Sequence, residues 1–280
     1  MWHLFRHSVN RFRGQILGWG TTLGILSAYL LSFYDTLVAQ RAQLEQLLAS
    51  YPPELMAFFG DIGSMFTPQG YLTLEFFSYM PLILGVFAIL AGSGLLTGDE
   101  ESGVLDLLLA HPVRRSTMFL ARLLSLLGAT TAILGLTWLG FVIGLNWTAL
   151  DLSWGELALP FASLGAVLLV FAAFSILMSM ALPSRRMAAM AGGIGVVGSF
   201  FLTSLSRIDE NLEAAARLSP LNYYQSGDAI LGLNWEWLAG LTGVSLLMLL
   251  LAWWRFERRD IRVGGEGSWG LPRLGRRAVT

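Results

Sequence analysis

The sequence predicts an all-α, polytopic membrane protein with six transmembrane helices, an N-terminal interfacial helix and a short helix on the inner surface. Three observations predict it. The 280 residues are 55% hydrophobic and only 13% charged, against roughly 25% charged in an ordinary soluble domain. The apolar residues come in long blocks, and a helix needs roughly 20 of them to cross about 30 Å of hydrocarbon. The basic residues gather in alternate connections, as expected when cytoplasmic loops retain positive charge.

Residues 1–13, MWHLFRHSVNRFR, mix Trp2, Leu4, Phe5, Val9 and Phe12 with Arg6, Arg11 and Arg13. That composition predicts a helix lying in the inner interface, where apolar side chains enter the acyl boundary and arginines meet anionic lipid. The spans follow at 15–34, 79–97, 117–145, 158–182, 187–206 and 235–254. The first block is too long for a signal peptide and lacks a small-x-small cleavage site, so it reads as an uncleaved anchor. Residues 1–262 form one six-span domain, and 263–280 a basic, flexible cytoplasmic tail.

Charge fixes the orientation. With both termini inside, the inner segments hold 15 arginines against 7 acids, or +8, and the outer segments 3 arginines against 12 acids, or −9. The short break LPSRRMA, with Arg185 and Arg186, makes spans four and five a tight hairpin turning inside.

The outer segment 35–78 is long for a connection. Its Leu37, Leu44, Leu47 and Leu48 share one side of a helix that Pro52 and Pro53 end. A second outer piece, 207–218, places Ile208, Leu212 and Ala215 on one face and pairs Glu213 with Arg217 at i, i+4. Both are expected to cap the outer side of the bundle.

Small residues recur four apart: Gly14 and Gly18, and Gly20 and Gly24, in the first span, Gly140 and Gly144 in the third, Ala189 and Gly193 in the fifth. Such spacing lets backbones approach in lipid. It serves packing within the chain or a seam between two copies, and for the seam the first and fifth spans are the candidates.

The spans are nearly free of ionisable groups. Only Arg122 falls inside one, about a turn from the inner surface, where its stem can reach water. An ion-driven carrier calls for carboxylates near the midplane, and none is present in the predicted spans. No inverted three-span repeat stands out either. His3, His7 and His111 all lie at the inner face, no cluster has metal-ligand spacing, and there is no cysteine. Catalysis is not expected of this chain, and no cofactor is assigned to it.

The inner connection between spans two and three, TGDEESGVLDLLLAHPVRRSTMFLARLL, is chemically ordered. Asp99, Glu100 and Glu101 come first, then Ser102 and Gly103, a short apolar helix from Val104 to Ala110, a stop at His111 and Pro112, and Arg114 with Arg115. A short apolar helix with opposite charges at its ends suits a groove on a cytoplasmic protein. The plainer account has acids capping a helix, arginines obeying topology and leucines dipping into lipid.

The string GDEESGVLDLLLAHPVRR resembles the inner loop of ABC transporter type-2 permeases, whose coupling helix contacts an ATPase. The basic segment before the first span and WWRFERRDI after the last are similar to that family as well. The resemblance implies that Asp99, Glu100, Glu101, Gly103, Leu105, Leu107, Leu108, Pro112, Arg114 and Arg115 meet the ATPase subunit. It implies a permease of an ATP-driven exporter in a prokaryotic inner membrane, with two ATPase copies and a second permease chain, the pair a homodimer. Nucleic acid is not an expected partner. ATP and Mg would sit on the ATPase, since a phosphate-binding loop needs a lysine and this chain has none. The long outer segment 35–78 departs from the pattern and leaves the cargo class open. The competing function is a non-transporting membrane scaffold that recruits a cytoplasmic partner.

Overall fold

A computed structural model of the chain describes residues 2–48, 52, 65–101 and 114–258. Helix α1, Trp2–Ala39, is continuous over 38 residues, about 57 Å at 1.5 Å per residue. The interfacial helix and the first span, expected as separate pieces, are thus one element. Nothing between them can stop a helix: isolated glycines cost only about 1 kcal/mol each, and the first proline is Pro52. The turn at Gln40 separates α1 from the short α2, Arg41–Leu48.

The second span departs furthest from expectation. It begins at α3, Pro68–Leu72, whose start is fixed by Pro68 and by the Thr67 hydroxyl accepting from the Gly70 N–H at 3.2 Å. The helix loosens into one π-turn, Thr73–Phe77, breaks at Ser78 and Tyr79, and resumes as α4, Met80–Ser93, after a bend of 42°. Pro81 explains the break, because its ring lacks an N–H and crowds the carbonyl four residues earlier. Fourteen residues reach only about 21 Å, so α4 needs the segment before it to cross. Taken as one span, the bent pair runs from 68 to 93 against the expected 79 to 97, and it then contains Glu75, an ionisable residue besides Arg122.

A short helix α5, Thr97–Glu101, leads into the inner connection. Then come α6, Arg115–Gly144, extended by a 3₁₀ turn to Trp147, and α7, Trp154–Ala181, opened by a capping box in which Ser153 and Glu156 satisfy each other's backbone N–H groups. Helix α8, Arg185–Leu205, follows the tight inner turn. Between α8 and the last helix lie the one-turn α9, Glu213–Ala216, with the expected Glu213–Arg217 pair at 2.8 Å, and three 3₁₀ segments, Glu210–Leu212, Pro220–Tyr223 and Ser226–Leu231. Helix α10, Trp235–Arg258, completes the described chain. Among the described residues five helices are long and apolar enough to cross a membrane, six if the bent pair is one span. The basic tail 263–280 lies outside the described residues.

Helix α7 is the central pillar, two-thirds buried along its apolar window and packed on α4, α6, α8 and α10. Helix α1 lies along α6. That seam is built from small residues: a Cβ on Gly140 would sit 2.0 Å from the Gly24 carbonyl oxygen, one on Gly24 2.9 Å from the Leu136 oxygen, and one on Gly20 2.5 Å from the Leu136 side chain. The single Ser27 hydroxyl proton is shared between Gly24 O at 2.8 Å within α1 and Thr137 O at 3.1 Å across the seam, and the second contact tightens it. Gly20 and Gly24, offered above for a seam between copies, are therefore occupied within the chain. Gly14, Gly18 and Gly193 have open space where a Cβ would stand, and Ala189 is half-buried against the core. In α8 the close approach falls one residue earlier, at Gly192, against Ser175 and Ile89.

At the outer end, Phe76, Phe77, Phe141 and Phe161 form an edge-to-face and stacked cluster. The segment after α9 folds down onto it. The Tyr224 hydroxyl donates to Phe77 O at 2.9 Å, Gln225 N donates to Ser163 Oγ at 3.1 Å, and Gly227 rests against Gln69 and Thr73.

Gly140→Ala is expected to destabilise the detergent-solubilised protein by about 1–3 kcal/mol through overpacking. Gly128→Ala, where a Cβ meets nothing within 4 Å, is expected to leave stability unchanged or slightly raised. Thermal unfolding followed by size-exclusion chromatography checks both.

Candidate functional site at the inner face

The inner connection is held at both ends. On the approach, Thr97 donates to Ser93 O and the Gly98 and Glu100 amides donate to Gly94 O and Leu96 O, so α5 follows α4 after a single hydrogen-bonded turn. Glu100 is buried, at 6% exposure, and Glu101 reaches across to α8, its Oε1 accepting from the Arg185 N–H at 3.1 Å. Ser184 accepts from the Met187 N–H at 3.3 Å. Two of the unpaired donors at the start of α8 are thereby satisfied, one by its own cap and one by the inner connection. The carboxylate also sits where the helix dipole is positive.

Two glycines make room for this junction. A Cβ on Gly94 would stand 2.7 Å from Arg185 Nε, and one on Gly98 would stand 3.4 Å from Arg11 Nη2. Arginines from α8 and α1 thus lie over the same short stretch. From the sequence alone Arg11 is expected at the lipid interface and Arg185 marks topology. The four-residue spacing of Gly94 and Gly98 was the available signal for their second role.

On the return, Arg114 is extended and exposed at the N-cap of α6. Arg115 Nη1 donates to Phe256 O at 3.4 Å and Glu257 O at 3.3 Å, capping the last turn of α10 with a positive charge. Phe119 packs on Phe256, and Arg255 Nε donates to Met180 O at 3.2 Å, joining α10 to the end of α7. Arg122 is 6% exposed, buried inside the bundle rather than reaching to the surface. Of the predicted contact residues, Gly103, Leu105, Leu107, Leu108 and Pro112 lie outside the described residues, and for Asp99 only the backbone is described.

Higher in the inner half, α6, α7 and α10 surround a cavity of about 180 Å³ lined by leucines, Thr130 and Thr131. No charged side chain lines it. Among the described residues, no group of three histidine or acidic side chains could hold a metal ion.

These features define a multi-pass membrane protein with a connection between helices anchored to separate helix ends. The chain belongs to the ABC-2 family of transporter proteins, whose family model matches residues 2–261. No curated protein matches it. Membership makes it a permease-type membrane subunit of an ABC transporter, and this family generally works with an ATPase subunit.

Glu101→Ala removes the acceptor for the Arg185 N–H. It is expected to speed hydrogen exchange in the first turn of α8 roughly 2–30-fold, the usual worth of a lost cap. Glu101→Gln, which keeps an acceptor oxygen, is expected to stay near wild type in the same mass-spectrometric measurement.

Proposed function

We propose that the chain is the permease of an ATP-driven exporter, coupled through 98–115 to a separate cytoplasmic ATPase. The working unit has two ATPases and two permease copies, with both termini on the cytoplasmic side of a prokaryotic inner membrane. The observation that carries this reading is the double anchorage of the inner connection, at Glu101 to the start of α8 and at Arg115 to the end of α10. A load applied between those anchors reaches two spans. Leu105, Leu107 and Leu108 supply the apolar contact, and Asp99 on one side with Arg114 on the other fix its register, whereas Glu100, expected at the same contact, is buried within the chain.

Polarity supports the orientation, since the arginine-rich connections are those that would face the ATPase. The motor belongs to the partner, where ATP and Mg bind, because a chain without lysine cannot build the usual phosphate-binding loop. Closure of the ATPases would move the connections, and cargo would travel between the two permeases. Gly14, Gly18 and Gly193, whose outward faces are open, remain the small-residue positions offered for the permease seam, with Ala189 at its margin.

Replacing Leu105 and Leu108 together with glutamate is expected to abolish copurification of the ATPase and transport-linked ATP hydrolysis in proteoliposomes. Retained association with full coupled hydrolysis would remove 98–115 from the mechanism. Association without any effect of the permease on hydrolysis would favour a scaffold.

A further inference from the structure

Glu75 is the residue that neither the fold nor the inner-face coupling explains. Its depth follows from the aromatic cluster beside it. The neighbouring Phe76 and Phe77 touch Phe141 at 4.8 and 6.0 Å, and Phe77 touches Phe161 at 5.2 Å. Phe161 comes seven residues after Trp154 and Phe141 six before Trp147, each about 10 Å along its helix. Trp147 and Trp154, 65% and 64% exposed, mark the outer interface, where tryptophan gathers. Two independent helices therefore place the π-turn about 10 Å below that interface, at hydrocarbon depth.

The side chain does not turn inward. Phe76 and Phe77 are fully buried, while Glu75 is exposed and makes no hydrogen bond or ion pair among the described residues. Below it on the same side of the span, Tyr79 (47% exposed), Ile83, Val86 and Leu90 form a continuous exposed stripe. A carboxylate facing acyl chains is costly, and ionisable residues at such depth face a polar cavity, a partner or a substrate. The π-turn is what puts it there: an extra residue per turn rotates the chain between α3 and α4, and such turns concentrate at functional sites. Tyr79 adds an aromatic face, to which cations are attracted.

We propose that Glu75 and Tyr79 form a recognition site for a cationic amphiphile on the cargo path. The carboxylate and phenol receive a positively charged head, and the stripe Ile83, Val86 and Leu90 receives an apolar body. This rests on the transporter reading above, to which it adds a substrate class. An anionic or uncharged amphiphile of the same size gains nothing from Glu75 and is discriminated against by charge alone.

The test uses two ions of matched shape and opposite sign, tetraphenylphosphonium and tetraphenylborate. Their binding is measured on the purified permease in zwitterionic nanodiscs, with empty discs subtracted. The wild type is expected to bind the cation at least about tenfold more tightly than the anion, the worth of one well-placed charge. Glu75→Gln is expected to erase that preference and Glu75→Asp to keep most of it. Equal binding of the two ions by the wild type, or a preference that survives Glu75→Gln, overturns the proposal. The measurement needs no ATPase, so failure here leaves the coupling reading intact, and Glu75-dependent binding in a protein that recruits no ATPase would refute transport while keeping the site.

Discussion

About 30 Å of hydrocarbon offers a backbone no hydrogen-bond partner except itself, so every crossing segment is driven to helix and every irregular segment to an interface. Inside that constraint, hydrophobicity no longer distinguishes a neighbouring helix from a lipid tail, and contact depends on how closely backbones can approach. The seam between α1 and α6 shows the consequence. Gly24 and Gly140 meet so closely that a single methyl group would collide with a carbonyl oxygen. Ser27 then bonds across to Thr137 O where the backbones are near enough. The same solution recurs at Gly92 and Gly192, which seat α4 and α8 on the central α7 around Ala172 and Ser175.

A bundle packed this way is stiff within its core, so function has to act on its ends. At the inner end, charges do what small residues do in the core. Glu101 completes the start of α8, Arg115 completes the end of α10, and Arg255 ties α10 to α7. Each links a side chain to a helix terminus, where backbone groups are otherwise unpaired and the dipole rewards the sign of charge present. Membership of the ABC-2 family makes the chain a permease-type subunit, and in the proposed reading this connection is where it meets its motor. At the outer end the break before Pro81 trades helix regularity for an exposed carboxylate.

Much of this was legible in the sequence. Spans three to six, predicted at 117–145, 158–182, 187–206 and 235–254, correspond to α6, α7, α8 and α10 within a few residues, because uninterrupted apolar blocks carry their own boundaries. The family was legible as well, from the order of acids, leucines, proline and arginines between Asp99 and Arg115. The second span was not. Glu75 and Pro81 interrupt its hydropathy, and the packing of Phe76 and Phe77 on Phe141 and Phe161 of two other helices is a long-range contact that no local pattern announces. Nor could four-residue spacing say which glycines would meet. Gly20 and Gly24 find α6, Gly193 finds nothing, and its neighbour Gly192 makes the contact. Anchors such as Glu101 to Arg185 join positions 84 apart in the chain, beyond the reach of any local pattern.

The central claim is that the connection anchored by Glu101 and Arg115 is the surface through which an ATPase moves the spans. Its most direct test is site-specific photo-crosslinking in the assembled membrane complex, with the reactive group at position 107 and, as an outer control, at position 218. The account predicts an adduct with the ATPase from position 107 and none from 218. An ATPase that copurifies but crosslinks only elsewhere on the inner face, never at 107, would contradict it.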